Sequence, residues 1–304
     1  MPKQTLLIVL FLASFKIFAQ PYDPTADPID FIGDIPYNEQ ETIRSALNMG
    51  IYVSAYTVLT QNAITSPCDT LYDVDDTISG CNWTTLPWES KRAVVNNIPG
   101  FPGCIVIATY MVKDCPYNPF IRQIKLVSYT TDFYLPGSNI GCDSLASYLD
   151  TNDLQEKNFR LSYIEDYLYQ SISEHEAGDP ANFSLCDPYG NPSSNSIPRQ
   201  IFYREMPCKS KVLLEIKKVS ETHYLYVNVP CTTVTGCCKT WFTFCKDSLG
   251  NVVTHINRTP VGSICNGFPT ESVIENIVYS FSINPNFIGA VITPTSLPCE
   301  NTCN

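Results

Sequence analysis

Basic charge is scarce in this chain: 19 Lys and Arg stand against 30 Asp and Glu, for a net charge of −11 and a pI near 4.7. So acidic a protein is poorly suited to nucleic acid or to an anionic membrane surface, both of which recruit Lys and Arg. Charge of either sign is also low, at 16% of residues, against about 25% in an average domain. The 44% hydrophobic content argues against disorder. There are only three histidines, so few groups titrate near neutral pH. No G-x-S-x-G elbow, no C-x-x-C pair and no complete H-E-x-x-H occurs, which removes the common serine-hydrolase, cysteine-zinc and zincin signatures. No apolar run reaches the ~20 residues that a membrane-spanning helix needs.

What is present is a leader followed by cysteine. Lys3, the apolar stretch Leu6 to Ala13 and the small Ala19 predict a signal peptide over residues 1–19, cleaved to leave Gln20. All fourteen cysteines lie downstream: Cys68, Cys81, Cys104, Cys115, Cys142, Cys186, Cys208, Cys231, Cys237, Cys238, Cys245, Cys265, Cys299 and Cys303. Export to the periplasm or the extracellular space makes disulfides their expected fate. The first of them stands too far from the leader for lipid attachment. Extended geometry restricts the pairing. Cys104 and Cys115 would lie about 36 Å apart on a strand, and Cys238 and Cys245 about 23 Å, far beyond a disulfide's reach. Vicinal Cys237 and Cys238 point to opposite faces and need different partners. Cys299 and Cys303 either close on each other or tie the tail to the body.

The stretch 187–198 (DPYGNPSSNSIP) has linker composition. It divides the mature chain into an α+β domain over 20–190 and a β-rich domain over 199–304, for which a sandwich is one arrangement. In the first part the patterns predict helices over 39–49, 87–97, 143–151 and 157–175, with strands over 104–112 and 121–129. In the second they predict strands over 200–206, 211–219, 223–229, 239–245, 252–256 and 287–292. One helix over 271–279 is added, with Ser272 and Glu275 at capping-box spacing. Lys209, Lys211, Lys217 and Lys218 alternate as the wet face of a strand would. Trp241 and Phe242 point to opposite sides of one strand, as in a strand buried on both faces.

Candidate chemistry is thin. Glu174, His175, Glu176 and Asp179 offer carboxylates and an imidazole at a helix end, the set a carboxylate- or metal-dependent hydrolase would use. Gly178 and Pro180 also make that segment a plain helix terminus. No metal or cofactor is required by any motif. Calcium is the ion that the acidic residues Asp73, Asp75 and Asp76, or Asp23, Asp27, Asp30 and Asp34, would suit, though EF-hand order is absent. Trp83 and Trp88 in a loop, and Tyr163, Tyr167 and Tyr169 on one helix, are candidates for contact with a protein or carbohydrate ligand. Asn82, Asn182 and Asn257 begin N-glycosylation tripeptides. Four Asp-Ser/Thr-aliphatic tripeptides, starting at Asp69, Asp76, Asp143 and Asp247, resemble envelope O-glycosylation sites. These features point to an exported, disulfide-stabilised, non-enzymatic protein of the cell envelope or its surroundings that binds a partner or joins a surface assembly. A secreted hydrolase is the alternative.

Overall fold

Buried residues that alternate between two faces decide most of the strands. In the computed structural model, residues 29–49, 68, 80–131, 140–187, 189, 191, 198–218, 221–231, 237–259, 265, 267–284 and 287–301 are described. The leader, Asp23 and Asp27, the acidic Asp73–Asp76 loop, the tripeptides at Asp69 and Asp76, and Cys303 lie outside them. In β2 (Glu89–Val95), Ala93 and Val95 face one core and Val94 another. That two-sided burial overrides the helix predicted over 87–97. β2 sits between β1 (Ile29–Ile32, parallel) and β3 (Val106–Asp114, antiparallel). β4 (Ile121–Thr130) follows β3 as an antiparallel neighbour.

The sheet forks at β4. The first half of β4 pairs in parallel with β5 (Arg199–Glu205), which continues to β8 (Cys238–Lys246) and β9 (Val252–Arg258). Its second half pairs instead with β7 (Glu221–Pro230), which leads to β6 (Cys208–Lys218) and then to β10 (Val291–Ser296) and the short β11 (Glu300–Asn301). A register shift opposite Thr109/Tyr110 leaves Val127 unmatched at the fork. Such a bulge turns the strand over: Leu126 before it and Tyr129 after it both reach the main core, while Val127 faces the other side. Among the described residues, eleven strands thus form one mixed sheet. The fold is α+β. The strands after residue 199 belong to this same sheet, and β4 from before the 187–198 stretch pairs directly with two of them.

Helices cover both faces. α2 (Ile140–Leu149) and the long α3 (Leu154–Ala177) close the main core with Leu145, Leu161, Ile164, Leu168 and Ile172. On the opposite face α1 (Tyr37–Met49) packs Ile43 and Leu47 against β1 to β3, and α4 (Glu271–Ser282) packs Ile277 and Phe281 over β6 and β7. Thr270 takes the N-cap position of α4 without a side-chain cap bond, so the predicted Ser272–Glu275 box is not the device that starts this helix. The strand predicted over 287–292 begins later, as β10 at Val291, because Phe287 turns inward onto Phe281.

Six disulfides are defined: Cys68–Cys237, Cys81–Cys115, Cys104–Cys142, Cys186–Cys245, Cys208–Cys265 and Cys231–Cys299. Cys238 is also disulfide-bonded, and no described cysteine is free. The pairs excluded by strand length do not occur. The vicinal cysteines have different partners, and Cys299 ties the tail to the body.

Candidate functional site

α3 packs on β1, β2, β4, β5 and β8 but leaves β9 at the margin, where Ile256 remains 56% exposed. Between the flank of the helix and this uncovered shelf runs a groove of about 380 Å³. Its floor is two cross-strand rows. Phe242 lies opposite Ile256 in one, and Tyr203, Thr240 and Arg258 lie in register in the other. Its wall is one helical face carrying Tyr163, Asp166, Tyr167 and Gln170, at the i, i+3, i+4, i+7 spacing that shares a side. Pro99 joins from the loop after β2.

The polar groups of the groove are held in place. Arg258 donates from Nε to Thr240 Oγ1 (3.1 Å) and from Nη2 to the Tyr203 hydroxyl (3.1 Å), and its Nη2 stands 3.7 Å from Asp166 Oδ1. With Asp166 largely exposed, that ion pair adds little stability and mainly presents the guanidinium. Tyr203 stacks on Tyr169 at 3.9 Å between ring centroids, and burial with the Glu205 charge pushes its phenol up to about 12, so it stays protonated. The Tyr167 hydroxyl donates toward the carbonyls of Asn96 and Asn97 at 3.3 and 3.1 Å, which fixes its ring. Gln170 donates to Glu174 at 2.9 Å.

Asp166 and Arg258 also line a recess of about 90 Å³, walled by Ser162, Glu165, Glu205, Lys209 and Glu300. Here the predicted wet face of β6 is corrected. Lys217 and Lys218 are exposed, but Lys211 is fully buried and Lys209 nearly so. The reason is tertiary. α3 and the C-terminal segment cover this face: β11 pairs with Cys208 and Lys209, and the Leu297 amide donates to the Lys211 carbonyl. Asn158 of α3 bonds the Pro298 carbonyl at 3.0 Å.

A buried charge therefore needs partners. Lys211 Nζ reaches Glu300 at 2.5 Å and Glu165 at 3.2 Å, and donates to Ser162 at 3.0 Å. Lys209 Nζ bridges Glu205 at 2.5 Å and Glu165 at 3.2 Å. Burial alone would raise Glu165, but the Lys209 and Lys211 charges outweigh it and hold the carboxyl at about 2. Glu205 goes the other way, since burial raises it more than Lys209 lowers it.

No family model matches this chain, and no curated protein or solved structure does. The geometry has to carry the functional argument.

The other residues singled out from sequence fall elsewhere. Glu174, His175, Glu176 and Asp179 do not converge. Glu174 accepts from Gln170, while Asp179 Oδ1 caps a single 3-10 turn at Pro180–Asn182 by accepting from the Ala181 amide at 2.8 Å. Glu176 is buried, with Lys91 at 2.9 Å on one oxygen and Arg122 at 2.6 Å on the other. The Tyr110 hydroxyl lies between Glu176 and Asp30, and burial with these two charges raises its pKa far above the usual phenol range. His175 Nε2 is 3.3 Å from Asp30 Oδ1, and this bond raises the imidazole pKa against the opposing effect of burial. For Asp30, burial works upward, but the bonds from His175 and Tyr110 outweigh it and leave the carboxyl low.

Trp83 is 1% exposed, edge-on to Phe202, and Trp88 is half-buried beneath the Lys113 ammonium. Trp241 and Phe242 sit in different cores, as their strand positions require. Asn82, Asn182, Asn257, Ser144 and Ser248 are all exposed. Among the described residues no helix is long and apolar enough to cross a membrane, and no group of three or more His, Cys, Asp or Glu is placed to hold a metal. Of the three tyrosines singled out on this helix, Tyr163 and Tyr167 line the groove, while Tyr169 is buried in the main core. Arg258 and the two buried lysines were not legible from spacing, because strand residues from distant segments carry them.

Proposed function

We propose that this is an exported, non-enzymatic binding protein and that the groove between α3 and the β8–β9 shelf holds its ligand. Six disulfides mark a protein of an oxidising compartment. They staple the sheet and helices into a scaffold that needs little ordering when it binds. The observation that carries the reading is the groove itself. It combines aromatic walls with an arginine already fixed by two hydrogen bonds, the mixture of apolar surface and few placed polar groups typical of ligand sites. The test is a double variant, Tyr163→Ala with Ile256→Asp, compared with wild type on glycan and peptide arrays. Both side chains are exposed, so the variant should melt with wild type yet lose the array binding that wild type shows. Equal binding by the two proteins sinks the groove as the site. A wild type that binds neither array but elutes as an oligomer favours the surface-assembly reading.

One observation favours a hydrolase as second reading. Glu165 and Glu205 share Lys209 while their pKa values are driven apart, the separation that acid and base partners need. Both carboxylates are nearly buried, and the recess beside them is small. Glu205→Gln would abolish hydrolysis of a bound ligand if this reading held.

A further inference from the structure

Taking the groove as the ligand site, we infer that its ligand is a neutral oligosaccharide chain rather than a peptide or an acidic polymer. The wall of the groove is a repeated unit. Tyr163 is followed three residues later by Asp166, and Tyr167 three residues later by Gln170. Each unit sets an aromatic ring beside a planar hydrogen-bonding side chain, and the second lies about 6 Å along the helix from the first. A pyranose presents the complementary pair of features. Its C–H face stacks on an aromatic ring, and its equatorial hydroxyls bond to carboxamide, carboxylate or guanidinium groups in the ring plane. The repeat along α3 is close to the length of one hexose in a chain, so successive sugars meet successive units, with Arg258 held across the floor by Thr240 and Tyr203.

Two further observations weigh against the alternatives. Of the floor strands, β8 is paired on both sides along the groove, which leaves a strand-adding peptide only the outer edge of β9. In the adjoining recess four carboxylates, Glu165, Asp166, Glu205 and Glu300, outnumber three cations, Lys209 and Arg258 in the lining and Lys211 paired with Glu165 and Glu300. Hydroxyl donors are welcome there, and a uronic-acid or sulfated chain is repelled, in keeping with the overall charge of −11.

The test uses the disulfide-intact protein on immobilised neutral β-glucan, mannan and chitin oligosaccharides, on alginate and polygalacturonate, and on a displayed random-peptide library. We expect at least one neutral oligosaccharide to be retained, with chains of several units binding better than single sugars. Retention should survive about 0.5 M salt, because charge contributes little. Tyr163→Ala and Gln170→Ala should each weaken it about tenfold, whereas Tyr279→Ala, an exposed tyrosine on α4, should not. Retention of no neutral oligosaccharide, or of acidic polymers only, overturns the ligand class. Peptide binding that is lost in the Tyr163 and Gln170 variants overturns the sugar inference but leaves the groove as the site. Binding of any kind that ignores both substitutions overturns both.

Discussion

Lys211 shows how far one side chain depends on its surroundings. It has no exposed surface, and its ammonium is neutralised by Glu300 and Glu165. Removing one partner of a buried pair strands the other charge and costs about 3–5 kcal/mol. Lys211→Met should therefore lower the urea midpoint by an amount equivalent to about 3 kcal/mol, near the bottom of that range because Lys209 still faces Glu165. An unchanged midpoint would show that the cluster is solvated. His175 makes a pH prediction. Its folded pKa lies above 6.5, so its bond to Asp30 contributes fully below that value and fades as pH rises through the raised one. Asp30 lies below 3.8 in the fold, so its share is present above 3.8 and is lost as pH falls through the lowered value. The contact is thus strongest between 3.8 and 6.5. Wild type should melt above His175→Gln at about pH 5.5, and the gap should close by about pH 8.5. A gap of equal size at both would mean that the pair does not ionise.

At the scale of elements, α3 is the organiser, since it closes the main core with one face, walls the groove with another and reaches both charge clusters. Its start is fixed by Asp153, whose carboxylate accepts from the Gln155 and Glu156 amides at 2.9 and 3.3 Å. Asp153→Ala should cost about 1 kcal/mol, read as a matching loss in thermal stability with the groove intact. The helical spacing of Leu161, Ile164, Leu168 and Ile172 made this element readable in advance. β2 was misread because Pro87 and a run of good helix formers imitate a helix start. Only its position between β1 and β3, with cores on both faces, makes Ala93 to Val95 a strand. The bulge in β4 was equally hidden, because Leu126 and Val127 are both apolar and only the pairing with β3 decides which of them changes face.

Over the whole molecule, disulfides join segments that the sheet brings together from far apart. Cys231–Cys299 closes a separation of 68 residues and anchors the segment that supplies Glu300. By loop entropy its removal as Cys231→Ser with Cys299→Ser should cost about 4 kcal/mol. Release of the tail should also deepen the stability loss of Lys211→Met less than additively, since both changes act on the same cluster. Denaturation of the three forms measures this, and strict additivity would show that the tail and Lys211 are independent.

Cysteine content, the low and acidic charge and the helical and strand periods come from local order along the chain. For that reason the α+β class, most elements and the impossibility of several cysteine pairings could be read from sequence. Tyr163 and Tyr167 share a side by their i, i+4 spacing alone, whereas Tyr169, grouped with them on the helix, turns into the core. The fork in the sheet, the partners of each cysteine, the burial of Lys209 and Lys211, and the meeting of Arg258 with Asp166 arise from contacts between residues far apart in the chain. Alternation along β6 shows that Lys209 and Lys211 share a face. Only the packing of α3 and the C-terminal segment decides whether that face meets water or carboxylates.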